Sequence, residues 1–208
     1  MAKRVSAIWS YIFPSILWNK KIKEKKILYL TFDDGPTPMV TDYVLRELES
    51  RNAKATFFAL GKNLETEVRL VKEILGAGHQ LANHTYNHDS GWRVSSLKFS
   101  ESISRTDALL NRYLKKNTCS FRPPYGKLTP SQFFKLKKTH QIIMWNLMSY
   151  DFDQSLSPER CLESLKQKTR SGDIVVFHDN SKSFHNLGFV LPRYLDHCLS
   201  QGYEFKLL

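Results

Sequence analysis

The sequence predicts an α/β fold of parallel strands joined by crossover helices. Three observations point to it. Strand-like and helix-like runs alternate about seven times along the chain. One helix-start signal, Ser or Thr followed by Pro, recurs at Thr37-Pro38, Thr129-Pro130 and Ser157-Pro158. Finally, Asp33, Asp34, His84, His88, Arg122, Tyr125, Asp151 and His178 each fall at or just past a predicted strand's end, where α/β folds bind their ligands. Alternation alone does not choose between a closed or distorted barrel and an open doubly wound sheet.

Taken in order, Ile27 to Phe32 is a run of strand-favouring residues that feeds Asp33-Asp34 and a Gly35-Pro36 stop. A helix follows Thr37-Pro38, with Val40, Val44, Leu45 and Leu48 on its inner face. Ala55 to Leu60 is the second strand, and Leu64 to Leu75 marks a second helix. His79 to Asn83 is a short strand that delivers His84-Thr85-Tyr86-Asn87-His88. A serine-rich helix is expected from about Ser95 to Lys116, burying Leu97, Leu109, Leu110, Tyr113 and Leu114. Phe121-Arg122 forms a brief strand before Pro123-Pro124-Tyr125-Gly126, and a helix runs from Pro130 to about Lys138. Ile142 to Leu147 reads as one strand, and Ser157-Pro158 opens another helix. Asp173 to Phe177 is a buried strand ending at His178, a helix contains Leu187 to Leu199 with Pro192 in or near its first turn, and Tyr203 to Leu208 is the last strand.

The 208 residues suit one domain, taken here as residues 27–208, preceded by an apolar and basic segment over residues 1–26. In that segment the apolar stretch Val5 to Trp18 is interrupted by Ser6, Ser10, Pro14 and Ser15, and is too short to span a bilayer. No small-residue cleavage site follows it. It is expected to pack across the bottom of the domain. Its aromatic residues and flanking lysines also suit peripheral membrane contact through residues 5–18. The three cysteines, Cys119, Cys161 and Cys198, are odd in number and widely spaced, which excludes a disulfide framework and fits a reducing compartment. A cytoplasmic or membrane-peripheral location is therefore expected over a secreted one.

The formal net charge of +11 suggests an acidic partner such as nucleic acid, an anionic membrane surface or an acidic polymer, or serves solubility alone. The chain has no zinc-finger spacing, no aromatic RNA-binding motif and no uninterrupted basic tract, so a specific nucleic-acid partner is not expected.

The residues at the strand ends suit one chemistry. His84 and His88, four apart, can meet at one metal, and a carboxylate from another strand end completes a three-ligand site with positions open for water and substrate. Of the two adjacent aspartates, one can bind the metal while the other takes a proton from water. Arg122 can hold that base ionised through paired hydrogen bonds. His178 can protonate a leaving group, and Asp151 can raise its pKa. The set fits hydrolysis of an amide or ester. The alternative is a protein that only binds a glycan or nucleic acid on the same scaffold.

Thr31-Phe32-Asp33-Asp34-Gly35-Pro36, His84-Thr85-Tyr86-Asn87-His88, Arg122-Pro123-Pro124-Tyr125-Gly126 and Val176-Phe177-His178 occur in that order. The chain resembles the NodB-type polysaccharide deacetylases of carbohydrate esterase family 4 in these four motifs. The resemblance implies a distorted (β/α)7 barrel and a divalent metal, usually zinc, held by Asp34, His84 and His88. It also implies Asp33 as base, Arg122 as its support, the Tyr125 backbone N–H as oxyanion donor and His178 as acid. The substrate it implies is an N-acetylated saccharide such as peptidoglycan or a chitin-like glycan, with O-acetyl groups as the less expected target. One motif departs from the family's D-x-x-D-W pattern. Here Met148-Ser149-Tyr150-Asp151-Phe152 keeps only the second aspartate, which leaves Asp151 to tune His178 and alters the wall of the groove.

Overall fold

The computed structural model describes residues 1–6, 8–22, 24–114 and 120–208. Lys23, Cys119 and the expected helix end at Lys116 lie outside them. The chain forms β1 (Lys3–Arg4), α1 (Ile8–Ile12), β2 (Ile27–Asp33), α2 (Val40–Glu49), β3 (Ala55–Ala59), α3 (Gly61–Thr66), α4 (Val68–Gly76) and β4 (Gln80–Asn83). It continues with α5 (Ser96–Leu110), β5 (Ser120–Phe121), a 3-10 turn (Pro124–Gly126), α6 (Pro130–Leu136), β6 (Gln141–Ile142) and β7 (Leu147–Met148). The last elements are α7 (Pro158–Lys168), β8 (Ile174–His178), α8 (Phe184–Ser200) and β9 (Glu204–Phe205).

Seven strands run parallel in the order β7-β8-β2-β3-β4-β5-β6, with β1 antiparallel on β7 and β9 parallel against the start of β2. β6 and β7 stand at opposite ends of this order, yet only residues 143–146 separate them in the chain. The single strand expected over Ile142–Leu147 is thus divided. Its start pairs with β5 and its end with β8, and the Ile143 and Asn146 N–H groups bond to Phe121 O and Ile174 O in turn. One short run of chain touches both flanks of the sheet, which therefore curls into a distorted barrel.

The two faces of β2 show how the barrel is filled. All seven of its residues are buried, as expected of a central parallel strand covered on both sides. Leu28, Leu30 and Phe32 face the helices and join the main core. Ile27 and Tyr29 join Phe58, Ala82, Ile143 and Ile174 in a smaller inner cluster. The period of two then sets Thr31 and Asp33 on that same inner face, at the end where the strand stops.

Three further expectations are corrected. The helix expected over Leu64–Leu75 is two helices that meet at Glu67, which has non-helical φ −100° and ψ 46°. α3 is pinned to the strand ends by bonds from Gly61 N–H to Thr85 O and from the Asn63 amide to Asp34 O, whereas α4 buries Leu70, Val71 and Ile74. Leu97 is 71% exposed; the Ser95 cap starts α5 so that Phe99 and Ile103 face inward instead. Pro192 lies inside α8 rather than in its first turn. A mid-helix proline strips the carbonyl four residues earlier of its donor, and here Tyr43 Oη donates to that Gly188 carbonyl at 2.8 Å.

The N-terminal segment is tied to the sheet, as β1 on β7 and through bridges from Leu17 to Ile143 and Asn19 to Asp173. Arg4 also pairs with the buried carboxylate of Asp173 at 2.5 Å. α1 buries no residue. No helix among the described residues is long and apolar enough to cross a membrane.

Candidate active site

The parallel strands end around one cavity of about 540 Å3. Asp33, Asp34, His84, His88, Tyr125 and His178 line it, while Arg122 and Asp151 stand directly behind. All eight residues picked out by sequence are therefore brought together.

Asp33 is the last residue of β2, and its Oδ1 accepts from Arg122 Nη1 at 2.7 Å. Arg122 is wholly buried. The same Nη1 donates to Thr31 Oγ1 at 2.8 Å, Nη2 donates to Met144 O at 3.0 Å, and the guanidinium lies over the Phe58 ring at 4.0 Å. A charge taken from water needs such a partner and filled donors, and this one spans the barrel interior from the end of β5 to β2. Asp33 Oδ2 remains on the side of His84, 4.0 Å from its Nε2.

Asp34 turns the other way because its backbone is left-handed, with φ 81°. Its Oδ2 accepts from Asn180 Nδ2 at 2.7 Å. Its Oδ1 lies 3.2 Å from His88 Nε2 and 3.6 Å from His84 Nε2, is buried, and has no hydrogen-bond donor among the described residues. The three donor atoms of Asp34, His84 and His88 lie within 4.8 Å of one another. His84 Nδ1–H donates to Arg122 O at 2.7 Å, which leaves the Nε2 lone pair facing Asp34. Burial, against the pull of the Asp34 charge and with repulsion from His88, pushes the His84 pKa down to about 3, so its ring stays neutral. Two imidazoles, with His84 held neutral, and an unpartnered carboxylate oxygen are a donor set that fits a divalent metal.

His178 ends β8, with Asp33 as its cross-strand partner. Its Nδ1 donates to Asp151 Oδ1 at 2.8 Å, and its backbone N–H donates to Asp151 Oδ2 at 2.8 Å. Burial lowers its pKa, but the charge and hydrogen bond of Asp151, with the carboxylates of Asp34 and Asp33 behind them, outweigh this and bring it up to about 9. The ring is a cation at neutral pH.

Tyr125 has φ 61°, and its hydroxyl lies 3.1 Å from His88 Nδ1. His88 and Tyr150 are left-handed too, at φ 62° and 64°. Non-glycine residues in this region cost about 1–3 kcal/mol each and gather where function requires them.

Three supporting residues escaped the sequence reading. Asn180 orients Asp34. Thr31 shares the Arg122 donor, and its place two residues before Asp33 on an alternating strand was the available signal. Asp179 is buried, accepts from Gly35 N–H at 3.0 Å and Thr41 Oγ1 at 2.7 Å, and so holds the turn that carries Asp34.

The polysaccharide deacetylase family model matches residues 20–142. A peptidoglycan-N-acetylglucosamine deacetylase of Bacillus cereus is 32% identical over 183 residues, covering 87% of this chain and 85% of that protein. The peptidoglycan-N-acetylglucosamine deacetylase PgdA of Listeria monocytogenes is 32% identical over 89% of this chain, which spans 38% of that longer protein. Among solved structures, the Bc1960 peptidoglycan N-acetylglucosamine deacetylase superposes with a TM-score of 0.88 at 27% identity, covering 96% of this chain and 94% of that one. With the family model matched over more than half of its length and a relative of this identity along most of it, the chain belongs to the polysaccharide deacetylase family.

Proposed function

We propose that this chain is a metal-dependent hydrolase that removes N-acetyl groups from an N-acetylated poly- or oligosaccharide, such as peptidoglycan or a chitin-like glycan. The observation that carries this reading is the convergence on one cavity of a braced carboxylate, a three-donor set and an imidazole held by a buried aspartate. Asp34, His84 and His88 would hold the metal, zinc by the family resemblance. When bound, such a cation lowers the pKa of a water and polarises a carbonyl.

The chain's own residues do the rest. Asp33 takes the proton of the attacking water, at the oxygen that Arg122 leaves free. Arg122 holds that carboxylate in place through a buried ion pair, so no reorganisation is needed at the moment of reaction. The backbone N–H of Tyr125 donates to the oxygen that gains charge. His178 hands its Nε2 proton to the departing amine, and Asp151 steadies the cation before the transfer. Amine departure needs this acid, because an amide nitrogen leaves only once protonated. The groove wall made by Met148, Tyr150 and Phe152 faces the sugar.

The test is acetate release from chito-oligosaccharides and peptidoglycan by the metal-restored chain, beside its Asp33→Asn and His178→Ala variants. Turnover by the parent and none by folded variants supports the assignment. Full activity in either variant contradicts it. Salt-sensitive glycan or nucleic-acid binding with no acetate release favours a protein that only binds.

A further inference from the structure

The positive charge of this chain is not spread evenly. Residues 1–23 and 108–150 contain no Asp or Glu. Together they hold thirteen of the 31 lysines and arginines, so the remainder of the chain has 18 cations against 20 anions. The whole excess therefore sits in two stretches. They are distant in sequence and meet in space, where Leu17 bridges Ile143, Phe13 packs edge-on against Phe133 at 5.5 Å, and β1 pairs with β7.

Where they meet, the surface is aromatic and partly open to solvent. Trp9, Phe13, Trp92, Leu128, Phe133 and Phe134 line a second cavity of about 410 Å3, in which Thr129 is, among the described residues, the only one with a polar side chain besides the tryptophans. Trp9 is 45% exposed, Trp92 64% and Phe134 56%, and beside them Ile8, Tyr11 and Ile12 of α1 are each more than half exposed. Lysines rim the patch: Lys127 lies 5.0 Å from the Trp92 ring and Lys137 4.7 Å from the Phe134 ring. Contiguous exposed apolar surface of this kind marks an interaction site.

We infer that this face seats the protein on an anionic lipid surface, with the rings and isoleucines entering the headgroup region and the lysines meeting lipid phosphates. The chemistry separates this occupant from the others that a basic patch can take. A glycan or a single-stranded nucleic acid can stack on such rings, but its hydroxyls, amides or base edges also need donors and acceptors, and this cavity offers almost none. Exposed isoleucines have no use on either polymer. Trp and Tyr mixed with aliphatic side chains and ringed by lysine are what a bilayer interface takes up. The loop at Tyr125 to Lys127 divides this cavity from the catalytic one: Gly126 lines the first, Tyr125 the second, and the Trp145 ring closes in behind Gly126. A chain seated this way carries its catalytic cavity next to the membrane.

The experiment is co-sedimentation of the full chain with vesicles of phosphatidylcholine alone and with about a third phosphatidylglycerol, at low and high salt. Two variants accompany it, Trp9→Ser/Phe134→Ser and Lys127→Gln/Lys137→Gln. Trp9, Phe134 and Lys137 are exposed, Lys127 is half-buried, and all four lie outside the lining of the catalytic cavity, so circular dichroism and acetate release from soluble chito-oligosaccharides should match the parent. That readout keeps failure here separate from failure of the deacetylase reading. Binding to the anionic vesicles that falls about tenfold or more in each variant, and weakens with salt, supports the inference. No binding to anionic vesicles at low salt overturns it. So does binding unchanged in Trp9→Ser/Phe134→Ser, which would mean charge alone. Single-stranded RNA held more tightly than the vesicles also overturns it.

Discussion

Asp151 holds His178 at two points, with one carboxylate oxygen on the ring Nδ1 and the other on the backbone N–H, each at 2.8 Å. The aspartate is fully buried, and Asn186 donates to its carbonyl at 3.1 Å, so the grip is rigid. This relationship decides which way the imidazole points and in which protonation state it waits.

Asp151→Asn should therefore cost about 100-fold in kcat, with a smaller change in KM. The sign of the pH effect follows from the acid's role. With His178 as the proposed acid, activity should require its protonated ring and should be lost as pH rises through its pKa, about 9 in the metal-free structure. A cation bound at Asp34 adds positive charge nearby and moves this limb below that value. Loss of the Asp151 charge should move it further toward acid, by about one pH unit or more. A pH–rate profile with the alkaline limb unmoved in the variant would contradict the pairing.

Arg122 and Asp33 form an ion pair with almost no solvent contact. Breaking such a pair from one side leaves an uncompensated buried charge. Arg122→Met should destabilise the fold by about 3–5 kcal/mol in urea titration, and adding Asp33→Asn should recover part of that loss. If the double variant is as unstable as the single, the pair is not the source of the cost.

Gly35 has no room for a side chain, because a Cβ there would fall on the Asp179 carboxylate. Gly76, at the end of α4, has open space around it. Gly35→Ala should lose about 1–3 kcal/mol and distort the Asp34 turn, while Gly76→Ala should be neutral or gain up to about 1 kcal/mol. Equal melting temperatures for the two variants would refute this contrast.

Asn180 fixes the rotation of the Asp34 carboxylate by bonding the oxygen turned away from the histidines. Asn180→Ala should weaken zinc affinity about 10–100-fold while leaving the three ligands in place. A zinc titration indistinguishable from that of the parent would remove Asn180 from the site.

Much of this was legible in the sequence, and the reasons are local. Asp33-Asp34 after six strand-favouring residues, and His178 after Asp173 to Phe177, announce strand ends by themselves, because buried parallel strands read as nearly continuous apolar stretches. The break within Ile142–Leu147 was not legible, since pairing first with β5 and then with β8 is a property of barrel closure and not of the residues. Pro192 misled for a similar reason. Its cost is offset by Tyr43, a residue 149 positions earlier that no local pattern connects to it. Tyr125 was read for its backbone, and the contact of its hydroxyl with His88 appears only in three dimensions. No local pattern marks Asn180 and Asp179, and only the fold sets them against Asp34 and Gly35.

The account rests on Asp34, His84 and His88 sharing one divalent ion, and calorimetric titration of zinc into the metal-stripped chain and into His84→Gln/His88→Gln addresses this most directly. The account predicts uptake of a single ion per parent chain, with acetate release restored in step, and loss of both in the variant. No uptake by the parent, or equally tight uptake by the variant, would contradict it.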